Sequence, residues 1–283
     1  MRRRDFIKGL TWAAAGSALC GEAEAYPVGS KRILIPLGGA GVSYNPAAVT
    51  IFNSFTTPPT AARKKLINNW VNATQSIWSK LDCWWMPAAA DSQAALINWV
   101  APGTNNLAVA GAPVFTADRG YAGDGGTGRL TGPNPTVLAG KMQQNSANIG
   151  VWLNSNVSED SGEIGGGALF IRARTSTNTI SGRMNDGTTS SWFSSITDGR
   201  GHTVGSRAAS GTYLPYKNGV AGSAVSIAST GLLNAALNVC STNSTTSATA
   251  VVGAAHIGGA LTGGDITTLY NATLAYMQGI GAA

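Results

Sequence analysis

From His202 to Val225 the side chains alternate with a period of two, and turn residues break the alternation twice. His202, Val204 and Ser206 fall on one face, and Thr203, Gly205 and Arg207 on the other. Ala209-Ser210-Gly211 reverses the chain, and Thr212, Leu214 and Tyr216 then alternate with Tyr213, Pro215 and Lys217. Asn218-Gly219 reverses it again into Val220-Ala221-Gly222-Ser223-Ala224-Val225. Only an extended chain places every second side chain on one face. Asn-Gly accepts the positive φ angles that a tight hairpin turn demands. The segment therefore predicts a three-stranded antiparallel meander. Pro215 has no N–H to give to a ladder, which puts its strand at an edge or a bulge.

The same texture fills the chain from residue 107 onward. Short apolar or alternating runs are candidate strands: Leu107-Ala108-Val109, Pro113-Val114-Phe115, Asn148 to Leu153, Leu169 to Arg174, and Ile180 to Met184. Leu237-Asn238-Val239-Cys240 and Ala250-Val251-Val252 are further candidates. Gly, Asn, Asp and Ser clusters separate them, and Asn185-Asp186-Gly187 is a second tight-turn signal. Charged residues make up only 11% of the chain and glycines number 37, which suits a β-protein with glycine-rich turns.

Residues 26–106 read differently. Thr60 is placed to cap a helix over residues 61–80, in which Leu66, Ile67, Trp70, Val71, Thr74, Ile77 and Trp78 recur at helical spacing. A second helical piece is predicted over residues 91–100. Five tryptophans fall between Trp70 and Trp99, and helical spacing makes them the apolar seam of a helical pair rather than a sugar platform. Pro102-Gly103-Thr104-Asn105-Asn106 marks a joint. The chain closes with a helix capped by Thr262 and Asp265, with Leu261 and Ile266 as its hydrophobic staple. Three segments are expected: an export signal over 1–25, a helical subdomain over 26–106, and a β-sandwich over 107–283.

The first residues carry the export reading. Arg3 and Arg4, with Phe6, Ile7 and Lys8 close behind, resemble the twin-arginine motif. A short apolar stretch follows, and Ala23 and Ala25 form an A-x-A cleavage site. The apolar run is far shorter than the roughly 20 residues that span a bilayer, so the exported protein is not expected to cross a membrane. Cys20 follows a bulky Leu19 and is assigned to the discarded peptide. Export predicts the twin-arginine translocon as a passing partner and a periplasmic or extracellular location. Cleavage removes four basic and three acidic residues from 19 and 13, leaving 15 and 10, a net +5. These charges are dispersed. Arg63-Lys64-Lys65 is the one basic run and is expected to be a solvated helix face, so no nucleic acid is expected as partner.

Residues from about 115 to 270 resemble the concanavalin A-like, LamG-type superfamily. The resemblance rests on His202-Thr203-Val204-Gly205-Ser206-Arg207 and Tyr216-Lys217-Asn218-Gly219. It continues in His256-Ile257-Gly258-Gly259-Ala260-Leu261-Thr262, leading into Asp265-Ile266-Thr267-Thr268-Leu269-Tyr270. It covers over half of the exported chain and is similar to bacterial and prophage-encoded proteins. It implies a jelly-roll sandwich of two antiparallel sheets used for carbohydrate or protein binding. Such domains sometimes hold calcium with loop oxygens, for which Asp118 and Asp124 are the candidates here. No other cofactor is expected, and turn formation is the simpler role for both.

Glycoside hydrolases of the resembled superfamily pair glutamates on one strand, and Glu159-Asp160-Ser161-Gly162-Glu163 is the nearest approach to that pattern. Here Asp160 follows Glu159 directly and would point to the opposite face, so the segment reads as a solvated acidic loop. His202 and His256 are the only histidines, with no nucleophile elbow to serve, and are read as structural. Cys83 and Cys240 are the two cysteines left after cleavage: an oxidising compartment permits a disulfide, and two buried thiols are the alternative. The expected function is a non-catalytic module that recognises carbohydrate or another surface polymer. Trp152, Trp192, Tyr213, Tyr216 and Asp186 are its candidate ligand contacts, with Trp192 expected to expose its ring. An assembly protein and a glycoside hydrolase are the other readings carried forward.

Overall fold

The computed structural model describes residues 43–138 and 140–283. The export residues Arg3, Arg4, Phe6, Ile7, Lys8, Ala23 and Ala25 lie outside them. The described residues form two antiparallel sheets with helices against one of them. The first sheet holds eight strands: β1 (Leu81–Trp85), β3 (Val114–Thr116), β4 (Gly120–Ala122), β6 (Ala147–Leu153), β11 (Gly201–Arg207), β12 (Leu214–Lys217), β13 (Val220–Ala221) and β15 (Val252–Gly258). The second holds seven: β2 (Ala108–Ala110), β5 (Arg129–Thr131), β7 (Ile164–Gly166), β8 (Leu169–Arg172), β9 (Ile180–Met184), β10 (Ser190–Phe193) and β14 (Asn238–Val239). The helices are α1 (Pro46–Asn53), α2 (Ala61–Thr74), α3 (Pro135–Leu138) and α4 (Gly263–Gly279). This is the β-sandwich that the sequence predicts.

The meander closes as expected. β11 pairs with β12, and β12 with β13, through Asn218 and Gly219 at φ +51° and +79°. Pro215 is next to the edge strand: it pairs with Gly205 of β11, and on the β13 side its carbonyl accepts the Gly222 N–H, so no N–H is asked of it there. β6 is the centre of the first sheet, flanked by β11 over seven residues and by β15.

Two apolar layers hold the molecule. One lies between the sheets, where Ile149, Val151 and Leu153 of β6 meet Ile164, Leu169 and Ile171. The other lies between the outer face of the first sheet and the helices, where Trp70, Trp84, Trp99 and Trp152 meet Ile266, Leu269, Tyr276 and Met277. Trp84 sits 4.8 Å from Trp70, and Trp70 sits 5.2 Å edge-on from Trp99. These tryptophans are therefore core, but not the seam of a helical pair: Trp70 lies on α2, Trp84 on β1 and Trp152 on β6. The closing helix has its capping box: Asp265 N donates to Thr262 Oγ1, and Thr262 N donates to the Asp265 carboxylate. Leu261 and Ile266 are both buried beside it.

Several expectations need correction. Residues 81–85, placed in the helical subdomain, are β1, which pairs with β15 beyond the point where β4 leaves it. No boundary at 106 divides the fold, because residues 43–283 form one compact unit. An apolar run buried on both faces carries no alternation, so Leu81-Asp82-Cys83-Trp84-Trp85 gives no strand signal. The second helix is a single 3-10 turn at Ala94–Leu96, and the first gives way to a 3-10 turn after Thr74. Finally, Arg63 is not a solvated charge: its guanidinium donates to the Tyr276 hydroxyl and to Asp118. No described helix is long and apolar enough to cross a membrane.

Candidate functional site

At one end of the first sheet, α4 and the tip of the β12–β13 hairpin enclose a cavity of about 320 Å³. Its lining includes Trp152, Asn154, Asp198, Arg200, Asn218 and Tyr270. Each is placed by an identifiable element. Trp152 ends the outward face of β6, and Tyr270 is brought over it by the capped helix α4. The two rings stack at 5.9 Å with an interplanar angle of 24°. Trp152 is only 3% exposed, so it forms a floor, while half-buried Tyr270 forms the reachable wall. The Trp152 indole N–H donates to Asn154 Oδ1 at 2.9 Å, which fixes both groups.

The polar rim comes from the loop before β11. Arg200 grips the Asp198 carboxylate through Nε and Nη2, at 3.0 and 2.6 Å. That guanidinium holds the Asp198 carboxyl below the usual carboxylate range. Lys217 braces the loop from beneath, donating to the carbonyls of Gly199 and Arg200 at 2.8 and 2.7 Å. Burial pushes the Lys217 ammonium down to about 8. Asn218 reaches back with Oδ1 to accept the His202 N–H, tying the hairpin tip to the rim.

Beneath the floor lies a buried imidazole pair. His202 Nε2 and His256 Nε2 are 2.9 Å apart, and His256 Nδ1 is 2.8 Å from Asn148 Oδ1. Asn148 Nδ2 donates to the Gly259 carbonyl, so Oδ1 is what faces His256. His256 therefore carries its proton on Nδ1 and accepts at Nε2, and His202 carries its own on Nε2. His202 Nδ1 is left without a partner. Trp84 lies flat on His256 at 4.9 Å and 8°. Burial lowers both histidines, His256 to about 3. The pair is neutral and structural, as read from the sequence. It exists because β6 has Gly150 opposite His256: a Cβ there would overlap the imidazole.

Of the sequence candidates, Trp152 alone lines the cavity. Trp192 does not expose its ring; it is buried between the sheets, and its indole N–H donates to the Tyr213 hydroxyl at 3.1 Å. The bulge in β10 between Ser191 and Phe193 turns it inward. Tyr213 is buried under the Arg207 guanidinium, and Tyr216 is buried in the helix-side layer. Asp186 has no exposed surface: it accepts the Met184 and Thr188 N–H groups and pairs with buried Arg207 at 3.4 Å. Asp124 caps its own loop, accepting from Gly126 N, Gly128 N and Ser247 Oγ, and Asp118 is held by Arg63. Among the described residues no three His, Cys, Asp or Glu side chains gather as a metal site. Cys83 and Cys240 are both buried free thiols.

The acidic segment also differs from its reading as a solvated loop. Glu159 closes a surface turn, accepting from Thr249 and from Ala250 N. Glu163 has no exposed surface; it accepts Ala173 N at 2.7 Å, and its other carboxyl oxygen has no partner. Burial pushes the Glu163 carboxyl up to about 8. It does not line the cavity.

No protein-family model matches this chain, and no curated protein does. Solved structures do. A mutant Trypanosoma rangeli sialidase displaying trans-sialidase activity aligns with 13% identity and a TM-score of 0.52, over 75% of this chain and 39% of that one. The shared property is the fold. The chain spans about two fifths of the length of that sialidase. Domain 4 of AbnA, a GH43 extracellular arabinanase from Geobacillus stearothermophilus solved with arabinotriose, aligns at 14% identity and a TM-score of 0.44, over 68% and 98% of the two chains.

Sequence reasoning missed the rim. Asp198-Gly199-Arg200-Gly201 carried a signal: a polar turn immediately before the best-defined strand is where a sheet end presents side chains.

Proposed function

We propose that this chain is an exported, non-catalytic carbohydrate-binding protein whose ligand seats against Tyr270. The observation that carries the reading is the cavity's composition. A stacked aromatic pair offers a flat apolar face to a sugar ring, and Asn154, Asn218, Asp198 and Arg200 offer fixed donors and acceptors around it. Asp198 and Arg200 are already paired, so the site has no net charge of its own from its rim. That favours a neutral, hydroxyl-rich ligand.

The same composition favours binding over hydrolysis. Glycoside cleavage of the common type uses two carboxyl groups. Asp198 is the one acidic side chain of the lining, and its pair with Arg200 removes it from proton transfer near neutrality. The fold likeness to the sialidase is consistent with a glycan-handling sandwich. Location outside the cytoplasm rests on the amino-terminal motif.

A glycan array probed with the exported chain tests the reading. Saturable binding to neutral glycans is expected, with at least a tenfold loss in Tyr270→Ala. Binding equal in the two proteins would overturn it.

A further inference from the structure

We infer that the outer face of the second sheet is a separate binding surface for an acidic polysaccharide. The inference does not depend on the cavity at Tyr270. Register and burial define the face: Leu130, Val239, Ile164, Leu169, Ile171 and Met184 point into the inter-sheet core, so their neighbours point out. The outward set includes Arg129 on β5, Asn238 on β14, Gly165 on β7, Phe170 and Arg172 on β8, and Arg183 on β9. α1, α2 and α4 pack on the first sheet instead, and the short α3 sets Leu138 against the inter-sheet core.

Three features point to an anionic ligand. First, Arg129, Arg172 and Arg183 form no ion pair among the described residues, whose salt bridges engage Arg63, Lys80, Arg200 and Arg207. The Arg172 side chain makes no hydrogen bond among them, and its Nε is buried without a partner. Asp160 is held by Ser176 through both its carboxylate oxygens, and its weaker attraction to Arg172 forms no ion pair. Second, the guanidiniums are pre-positioned. Arg172 and Arg183 lie over the ring of Phe170 at 5.2 and 5.4 Å, and Arg129 Nε is fixed by Asn238. Arg183 spends Nε on Thr189 and one amino group on the Gly167 carbonyl, leaving the other to point outward. Third, the face is extended. Gly165, at φ +121°, lies between Asn238 and Phe170 with no side chain, and a Cβ there would strike Phe170. From β5 to β9 is four strand spacings, about 19 Å at ~4.8 Å each. A row of forked donors over that span suits successive carboxylates or sulfates on one extended polymer.

A nucleic acid fits less well. Base stacking needs a free aromatic face, and Phe170, 6% exposed, already carries a guanidinium from each of two strands.

The test uses the full exported chain with polygalacturonate, neutral dextran and a single-stranded oligothymidylate as probes, followed by calorimetry. Saturable binding to polygalacturonate alone is expected, weakening as salt rises. The triple variant Arg129→Gln, Arg172→Gln, Arg183→Gln should lose at least tenfold in affinity. Arg172→Gln alone removes no protein hydrogen bond and gives up only the contact with the Phe170 ring; it should stay folded by circular dichroism and lose severalfold. Absence of polygalacturonate binding, or affinity unchanged in either variant, would overturn the inference. Equal binding of the oligothymidylate would overturn the assignment to a polysaccharide.

Discussion

The two sheets of this sandwich have the same antiparallel ladder and opposite surroundings. The first is covered twice, by the second sheet on one side and by α1, α2 and α4 on the other. The second is covered once. In the first sheet β6, β11 and β15 are buried at every position, so polar side chains on its outer face must be satisfied by protein. Asn148, His256 and Ser206 are, through one another and through the carbonyls of Gly259 and Leu261, while His202 is satisfied at Nε2 by His256 and not at Nδ1. In the second sheet Arg129, Arg172 and Arg183 face outward without an ion pair among the described residues. The difference teaches that a polar residue on a strand is a structural element where the strand is covered twice, and a candidate contact where it is covered once.

Trp84→Ala should break the comparison most severely. It removes the ring that stacks on His256 and packs on Trp70, and should cost about 3–5 kcal/mol of unfolding free energy by denaturant titration. Next is acidification. The folded histidines resist protonation, while unfolded histidine binds a proton below about 6.5. Their stabilising contribution is full above that value and declines as pH falls toward the His256 value of about 3, by about 1.4 kcal/mol per pH unit for each histidine. Glu163 acts in the other direction. Its folded carboxyl holds its proton to about 8, against an ordinary value of 4.5, so its contribution is lost as pH rises between them. The two limbs overlap between about 4.5 and 6.5, where two histidines outweigh one carboxyl, so stability should peak near pH ~6.5, and Glu163→Gln should flatten the decline above it.

Gly150→Ala should cost about 1–3 kcal/mol, because the added methyl overlaps His256 in a layer with no slack. Ser191→Ala, on the bare face of the second sheet, should change stability by less than about 0.5 kcal/mol. A cost there equal to that of Gly150→Ala would erase the distinction between the faces.

The legibility of the chain follows the same line. The β11–β13 meander was readable because Asn218-Gly219 is a local signal that tertiary context does not override. The α4 cap was readable for the same reason: Thr262, Asp265, Leu261 and Ile266 act within one turn. β1 was not, since a strand covered on both faces has no alternation and Trp84 and Trp85 fit a helix equally well. Trp192 was misread because its polar neighbours Ser190, Ser191 and Ser194 suggest a surface, whereas a bulge turns the ring inward. Glu163 was misread because local glycines suggest a loop, while its burial is decided by Ala173 and Cys240 far along the chain. The cavity combines β6, the loop before β11, the β12–β13 tip and α4, residues more than a hundred positions apart. Trp152 could be nominated from its strand, but Tyr270 and Asp198 become its neighbours only once the sandwich closes.

The most direct test of the central claim is the Trp152 indole N–H resonance, followed by nuclear magnetic resonance while a glycan that the array identifies is titrated in. The expected result is a saturable shift of that signal, with those of Trp84 and Trp192 unmoved, and loss of the shift in Tyr270→Ala. A ligand that binds without moving the Trp152 signal would contradict the assignment of the sugar site to this cavity.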